Sequence, residues 1–152
     1  MKIIHTIIAT AFGAGFSPFA PGTAGAIVAC GILWLIEKLE LFTTYSISFI
    51  LLIVSCTLLG VISTNYLEKH WGKDPSKVVM DEVIGMWITM AFIPFSYLNI
   101  LLAFILFRFF DIAKPLGIRK LEKLPGGIGV MADDVLAGIY SNLVLQLIIL
   151  FL

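Results

Sequence analysis

Apolar runs alternate with short polar connections along the whole chain. The runs cover residues 24–36, 45–62, 83–95, 96–107 and 135–152. Only two of them approach the roughly 20 residues that an α-helix needs to cross a bilayer, so the shorter ones must begin in polar flanks, lie tilted or be buried against neighbours. Strands are disfavoured, because an open sheet edge in lipid leaves backbone groups unpaired. The pattern predicts an all-α protein, a compact helical bundle of about five apolar helices in a single domain over residues 1–152.

A further apolar stretch, Ile3 to Phe12, follows Lys2 at the N-terminus. It superficially resembles a secretory signal peptide. Because a glycine-rich loop follows and the next 20 residues look integral to the fold, we interpret it as an uncleaved helix against the membrane interface or the bundle. Cys30 and Cys56 lie inside apolar runs, so we expect packing residues rather than a disulfide or a metal pair.

The composition makes lipid the expected solvent of this bundle. The 152 residues are 60% hydrophobic and 13% charged, and the mean hydropathy of +1.05 exceeds that of ordinary soluble domains. The formal net charge is zero, and the basic residues lack the interleaved aromatic residues of a nucleic-acid surface. They are better placed to meet anionic lipid headgroups. We therefore expect an integral membrane protein that binds no nucleic acid.

The basic residues also predict an orientation. When the chain is threaded as five spans with residues 1–23 in the cytoplasm, the connections 63–82 and 108–134 fall on the same side. Nine of the ten Lys and Arg residues are then cytoplasmic and only Lys38 lies outside, as the positive-inside rule requires. The same topology brings five carboxylates to the cytoplasmic face, namely Asp81, Glu82, Asp111, Asp133 and Asp134. One shared site becomes possible there.

The first candidate segment is the glycine-rich stretch of residues 13–26. Pro21, Gly22 and Thr23 stand just before an apolar helix. Thr23 suits the N-cap, and the free amides of the first turn, beside a permissive glycine, form a ready anion site. The alternative is an ordinary loop and cap, since glycine-rich turns commonly flank helices without binding a ligand.

The second candidate segment covers residues 74–85. Asp74 followed by Pro75 looks like an N-cap with proline at the first helical position. A helix that starts at Pro75 places Asp81 and Glu82 about two turns in, where the polar loop gives way to an apolar run. Charge near hydrocarbon is costly, which favours a functional role. The alternative is a pair of solvated carboxylates neutralised by nearby lysines.

The third candidate segment covers residues 107–120. Arg108, Asp111 and Lys114 follow one another at three-residue steps and share one helical face. They form either an ion-pair ladder or a site in which Asp111 binds a metal while Arg108 and Lys114 receive phosphate oxygens. Pro115 is expected to end the helix beside them.

The fourth candidate segment, residues 124–138, is a glycine-rich loop that leads into the last helix. Asp133 can cap that helix. Asp134 begins a stripe of small and polar residues at four-residue steps, which should face the bundle interior. The stripe consists of Asp134, Gly138, Asn142 and Gln146.

The residue types restrict the chemistry. His5 and His70 stand far apart and are interpreted as structural or surface residues. No general-base histidine is obvious and neither cysteine has an arginine six positions later, which argues against cysteine- or histidine-based phosphatase chemistry. No Asp-x-Asp nucleophile motif occurs either. Carboxylates with a hard divalent cation remain, and Mg²⁺ best matches oxygen ligands of this kind.

Together the four segments resemble the phosphatidylglycerophosphatase A family, and the resemblance covers nearly the whole chain. The matching blocks are GAGFSPFAPGTAGA, DPSKVVMDEVIG, FRFFDIAKPLGIRK and GGIGVMADDVLAG. The resemblance implies a bacterial membrane enzyme that dephosphorylates phosphatidylglycerophosphate to phosphatidylglycerol with Mg²⁺. The family's motif residues fall on Gly22, Thr23, Asp81, Glu82, Arg108, Asp111, Lys114, Asp133 and Asp134. Ala26 departs from the family pattern, which has a hydroxyl residue at this position.

We therefore expect metal-assisted hydrolysis of a phosphate monoester at the cytoplasmic face of the bacterial inner membrane. Mg²⁺ is expected on Asp81, Glu82, Asp111 and Asp134, with a remaining carboxylate positioning water and with phosphate held by Gly22, Thr23, Arg108 and Lys114. A covalent aspartyl-phosphate is an alternative mechanism. The alternative functions are a membrane phosphotransferase that acts on a phosphoalcohol lipid and a small ion or phosphate transporter. A noncatalytic lipid-binding role is least favoured, because it leaves the paired acids unexplained.

Overall fold

The computed structural model describes residues 1–151, which form six α-helices and two short 3-10 helices. The α-helices are α1 (Lys2–Ala9), α2 (Pro21–Lys38), α3 (Ile47–Trp71), α4 (Met80–Met90), α5 (Tyr97–Ala113) and α6 (Gly126–Leu150). The 3-10 helices are Ala14–Phe16 and Ile118–Lys123. No strand occurs within residues 1–151, which confirms the all-α prediction. The last residue of the predicted run 135–152 lies outside the described residues.

Helices α4 and α6 form the centre of the bundle. α6 packs against α3, α4 and α5, while α2 covers α4 from another side and α1 lies on α3. Two glycines allow the central pair to approach closely. A Cβ atom on Gly138 would collide with the backbone of Gly85, and one on Gly85 would collide with Phe107 and the Asp134 carbonyl. Small residues at such crossings are typical of helices packed in membranes.

Two helices, α3 and α6, are long and apolar enough to cross a membrane. Each of the predicted apolar runs is helical over most of its length, but the count of about five apolar spans is not confirmed. α4 has only 11 residues, so it is about 16 Å long at the usual rise per residue. Most of its side chains are buried, and it is a core helix of the bundle.

The polar stripe of α6 faces the bundle interior through most of its length, as predicted. Asp134 and Gly138 are buried, and the Asn142 amide donates to the carbonyls of Thr89 (2.9 Å) and Ala91 (2.7 Å). Gln146 is exposed and donates to the Asn142 side chain. Asn142 therefore satisfies carbonyls at the C-terminal end of α4, which would otherwise lack partners.

The histidines and cysteines have the structural roles that were predicted. His5 joins α1 to α3, because its Nδ1 lies 3.1 Å from Ser63 Oγ and its ring stacks on Tyr66. His70 also stacks on the Tyr66 ring. Cys30 and Cys56 are half-buried and pack against the hydrophobic core.

Candidate active site

One cavity of about 630 Å³ lies where several helix ends meet. The N-terminal residues of α2, α4 and α6 line it, together with the C-terminal residues of α3 and α5. Helix N-termini carry partial positive charge and favour anions. Three basic side chains line the cavity, Lys73, Arg108 and Lys114. Eight acidic side chains line it, namely Glu68, Asp74, Asp81, Glu82, Asp111, Glu122, Asp133 and Asp134.

Three of these carboxylates converge. Asp81, Glu82 and Asp134, here called the acid triad, each offer an oxygen within 4.8 Å of the other two. The glycine crossing of the central helices sets this spacing, because Asp81 stands four residues before Gly85 and Asp134 four residues before Gly138. Each acid therefore lies one turn from the closest approach of α4 and α6.

The α4 acids of the triad are unsatisfied. Asp81 Oδ1 and Glu82 Oε2 are buried and make no hydrogen bond to any described residue. Burial raises the pKa of the Asp81 carboxyl well above its ordinary value, and the Glu82 carboxylate raises it further. Burial also raises the pKa of Glu82. A bound cation would remove this repulsion and give the orphaned oxygens a partner, so the donor set fits a hard divalent metal.

The predicted position of these acids needs a correction. α4 begins at Met80 rather than Pro75, so Asp81 and Glu82 lie in its first turn and Asp74 is not its N-cap. Asp74 instead has a left-handed backbone (φ +49°). The reason is tertiary: the Val79 amide donates to the Ala9 carbonyl (2.8 Å), which holds the preceding segment as a turn. In the first turn, the carboxylates lie against the favourable end of the helix dipole.

Arg108 and Asp111 form the predicted ion pair on α5. Arg108 Nη1 donates to Asp111 Oδ2 at 2.5 Å. Arg108 Nε is buried and has no acceptor among residues 1–151, so one donor of this guanidinium is unused within the described chain. Gly22 borders this pair, because a Cβ atom there would collide with Glu82 and lie 3.2 Å from Arg108 Nη1. The first turn of α2 therefore contacts both the acid triad and the arginine.

Lys114 departs from the predicted helical ladder. α5 ends at Ala113, and Lys114 is the C-cap with a left-handed backbone (φ +46°), directly before Pro115. Its ammonium contacts Asp133 (2.6 Å) and Glu122 (2.7 Å) rather than Asp111. Burial lowers the pKa of Lys114, but its hydrogen bonds to Asp133 and Glu122 outweigh burial and raise that pKa overall. Lys114 is therefore a permanent cation in this cavity.

Two predicted caps are wrong. α6 begins at Gly126 with Pro125 as its N-cap, so Asp133 is a buried residue of the third turn rather than a cap. α2 begins at Pro21 with Ala20 as its N-cap, and Thr23 follows in the first turn. Thr23 is not among the residues that line the cavity. Close packing explains the early start of α6, because Gly127 and Gly129 contact α3 and the Leu124 carbonyl where no Cβ atom fits.

The structure adds charged residues that the motifs do not single out. Glu122, on the second 3-10 helix, binds Lys114, and Glu68, near the end of α3, accepts from the Asp74 amide (3.2 Å). Glu122 stands between two of the matching blocks, so its place in the site is identified by its contact with Lys114 rather than by a motif. The one signal in the sequence is its membership of the acid-rich stretch from Asp111 to Asp134.

An apolar helical bundle with converging carboxylates and facing cations has the side chains of an enzyme that acts on phosphate esters. A family model described as phosphatidylglycerophosphatase A matches residues 7–149. The chain belongs to the phosphatidylglycerophosphatase A family and is an enzyme of this phosphatase class.

Three relatives match over nearly the whole chain. A Bacteroides thetaiotaomicron protein named "Putative phosphatidylinositol-3-phosphatase" is 50% identical over 144 residues, covering 92% of this chain and 90% of the relative. Proteins named phosphatidylglycerophosphatase A are 41% identical in Haemophilus influenzae, covering 93% of this chain and 85% of the relative, and 34% identical in Escherichia coli, covering 93% and 81%. No solved structure matches the chain. The relatives' names agree on a phosphatase of a phosphatidyl lipid and differ in the headgroup.

Proposed function

We propose that this protein hydrolyses phosphatidylglycerophosphate to phosphatidylglycerol and inorganic phosphate, with Mg²⁺ held by the acid triad. We further propose that it acts in phospholipid biosynthesis, at the cytoplasmic face of the bacterial inner membrane. The observation that carries the proposal is the convergence of Asp81, Glu82 and Asp134 within 4.8 Å. Family membership supports the substrate, and the positive-inside distribution of Lys and Arg supports the orientation.

Charge balance supports the need for a metal. Acidic residues that line the cavity outnumber basic ones by eight to three. A phosphate monoester is itself an anion, so it would be repelled from such a cavity unless cations entered with it. Mg²⁺ prefers oxygen ligands and commonly joins carboxylates to substrate phosphate. When bound, it supplies Lewis-acid stabilisation of the phosphoryl oxygens. Asp111, already paired with Arg108, is a candidate fourth ligand.

The cations and the first turn of α2 are suited to bind the phosphate. Arg108 keeps its Nε donor free, and Lys114 has a third N–H beyond its two carboxylate contacts. α2 has no side-chain cap within the described chain, so its first-turn amides remain available to an anion. Gly22 lines the cavity, whereas Thr23 does not and would contribute only its backbone amide from behind Gly22. These donors would stabilise the charge that spreads over the phosphoryl oxygens as the bond to the leaving oxygen breaks.

Asp133 is the candidate for activating water. Its Oδ2 accepts from Lys114, while its Oδ1 is buried without a partner among the described residues. That oxygen would accept a proton from the attacking water as the new bond to phosphorus forms. The bond between phosphorus and the lipid alcohol breaks in the same step, and the alcohol leaves with a proton from solvent.

The test is release of inorganic phosphate from phosphatidylglycerophosphate by the purified protein in detergent micelles. Release should require Mg²⁺, stop with chelator and be lost in Asp134→Ala. Glu37→Ala, an exposed acid outside the cavity, is the matched control and should keep full activity. Because the assay contains no acceptor alcohol, phosphate release also excludes the transferase alternative. A folded, metal-supplied protein that releases no phosphate would overturn the proposal.

A second candidate substrate is phosphatidylinositol 3-phosphate. It is favoured by the name of the Bacteroides relative, which is 50% identical to this chain. The two lipids should be compared in the same micelles by their kcat/KM values. A higher kcat/KM for phosphatidylglycerophosphate supports the primary proposal, and a higher value for the inositol lipid assigns the enzyme to phosphoinositides.

A further inference from the structure

The loop that joins α1 to α2 displays three phenylalanines. Phe12 is 81% exposed, Phe16 52% and Phe19 85%. Beside them, α1 turns Ile3, Ile4 and Ile7 outward. Phenylalanine side chains are rarely left exposed in a row without a partner, because their apolar area is large.

The loop is held rigidly in this conformation. Ala11, Phe12 and Gly13 all have left-handed backbones, which bulky residues adopt only under constraint. The Gly13 amide donates to Thr10 Oγ1 (3.1 Å), and Gly15 packs so closely on the Lys77 carbonyl that a Cβ atom has no space. The exposure of the phenylalanines is therefore a fixed feature of the fold.

Basic residues border this apolar surface. The Lys77 ammonium lies 5.7 Å from the centroid of the Phe16 ring and 5.8 Å from that of Trp71. Lys2 in the first turn of α1 is also exposed, and so is Lys73, two residues after Trp71. Apolar side chains beside lysines are typical of segments that lie in the interface of an anionic membrane.

The surface adjoins the active-site cavity. Phe19 directly precedes Ala20, Pro21 and Gly22, which line the cavity. The loop also packs on the segment that leads into α4 and its acids, since Gly15 lies against the Lys77 carbonyl. The end of α1 is bonded to the same segment, because the Ala9 carbonyl accepts from the Val79 amide. The position of the loop in a bilayer would thus set the depth of the acid triad.

We propose that residues 1–20 form a membrane-interface anchor for an anionic bilayer, with Phe12 and Phe19 among the acyl chains. This anchor holds the cavity mouth at the depth of the lipid phosphates. The inference rests on the proposed function, because only a lipid substrate requires such alignment. It concerns presentation of the substrate and gives the phenylalanines no part in the chemistry.

The test compares a long-chain lipid with a soluble substrate. In vesicles of phosphatidylcholine and phosphatidylserine, Phe12→Ser with Phe19→Ser should raise the KM for long-chain phosphatidylglycerophosphate by about five- to tenfold, because the loop no longer inserts and the cavity mouth is no longer held at the depth of the lipid phosphates. Hydrolysis of a dihexanoyl analogue below its micelle concentration should stay unchanged. The matched control is Phe92→Ser, since Phe92 also has a left-handed backbone (φ +60°) and 53% exposure but follows the C-terminal end of α4, away from the cavity.

An unchanged KM in the double variant, or an equal rise in Phe92→Ser, would overturn the anchor. A second readout does not depend on activity. Phe19→Cys, labelled with an environment-sensitive fluorophore in a Cys30→Ala, Cys56→Ala background, should be quenched by acyl-chain-brominated lipid. Quenching by aqueous iodide instead would contradict the inference. If wild type releases no phosphate from either substrate, the proposed function fails, while the fluorophore still tests the anchor.

Discussion

The cavity contains two kinds of carboxylate that differ in their partners. Asp111 and Asp133 each accept a hydrogen bond from a cation, Arg108 and Lys114 respectively. The oxygens of the acid triad converge within 4.8 Å, yet none forms a salt bridge within residues 1–151. Each paired acid has a cation partner within the chain, although Asp133 Oδ1 remains without a hydrogen bond among the described residues. The triad, by contrast, is a concentration of like charge with no cation partner among them.

This difference separates two tasks. A carboxylate bound to a cation orients that cation. Asp111 orients the Arg108 guanidinium and Asp133 orients the Lys114 ammonium, and both cations line one cavity. Carboxylates crowded together without a partner are costly to the folded chain unless a metal binds them. Substitutions in the two groups should therefore change stability in opposite directions, and this contrast can be measured.

The largest effect is expected from Asp81→Asn in the triad. Loss of a ligand charge should lower kcat by about 1,000-fold or more, since metal stabilisation of a phosphoryl group contributes several kcal/mol. In chelator, the same variant should be more stable than wild type by about 1 kcal/mol, because a buried repulsion is removed. Phosphate release and thermal unfolding measure the two outcomes. A variant that loses activity and also unfolds more easily in chelator would count against an unpaired triad.

A smaller effect on activity is expected from Asp111→Asn among the paired acids. Arg108 would lose the carboxylate that orients it, and loss of such a supporting partner typically lowers activity about 10- to 100-fold. Stability in chelator should fall by about 1–3 kcal/mol, because the partly buried Arg108 guanidinium is left without its charged acceptor. The sign of this change is the test, and a stability gain like that of Asp81→Asn would remove the distinction between the two groups.

The smallest effect is expected at Glu122, which is 43% exposed in its side chain and shares Lys114 with Asp133. Glu122→Ala should lower kcat by about three- to tenfold, because Lys114 keeps only one of its two anchors. Glu122→Gln can still accept the hydrogen bond and should recover most of this loss. Lys123→Ala, an exposed neighbour that does not line the cavity, is the control. A lower KM in Glu122→Ala would instead show that Glu122 competes with phosphate.

The sequence predicts which residues come together at this site better than it predicts their local structure. The apolar runs predicted the helices, and the acids predicted to share one face do line one cavity. The apolar runs and the distribution of charged residues can be read from the sequence, because both depend on contact with lipid or water along the whole bundle. The distance between Asp81 and Asp134 depends on where α4 and α6 cross at Gly85 and Gly138. The position of that crossing follows only from the three-dimensional structure.

The predicted helix starts at Pro75 and at Asp133 were wrong for a common reason. Capping residues favour a helix start by about 1 kcal/mol, and a few tertiary contacts exceed that preference. The Val79 amide is already bonded to Ala9, and the Gly127 amide is capped from α3 by Asn65 Oδ1 at 2.8 Å. Ala9 and Asn65 are far in sequence from the amides that they bind, so no local sequence pattern predicts these contacts.

The most direct test of the acid triad is a Mg²⁺ titration of metal-free protein in detergent, followed by thermal unfolding. Ligand that binds only the folded state raises stability with concentration. Wild type should gain the most stability with Mg²⁺, Asp111→Asn should gain somewhat less because it loses only the candidate fourth ligand, and Asp81→Asn should gain little or none. Equal Mg²⁺-dependent stabilisation of wild type and Asp81→Asn would contradict the assignment of the metal to Asp81, Glu82 and Asp134.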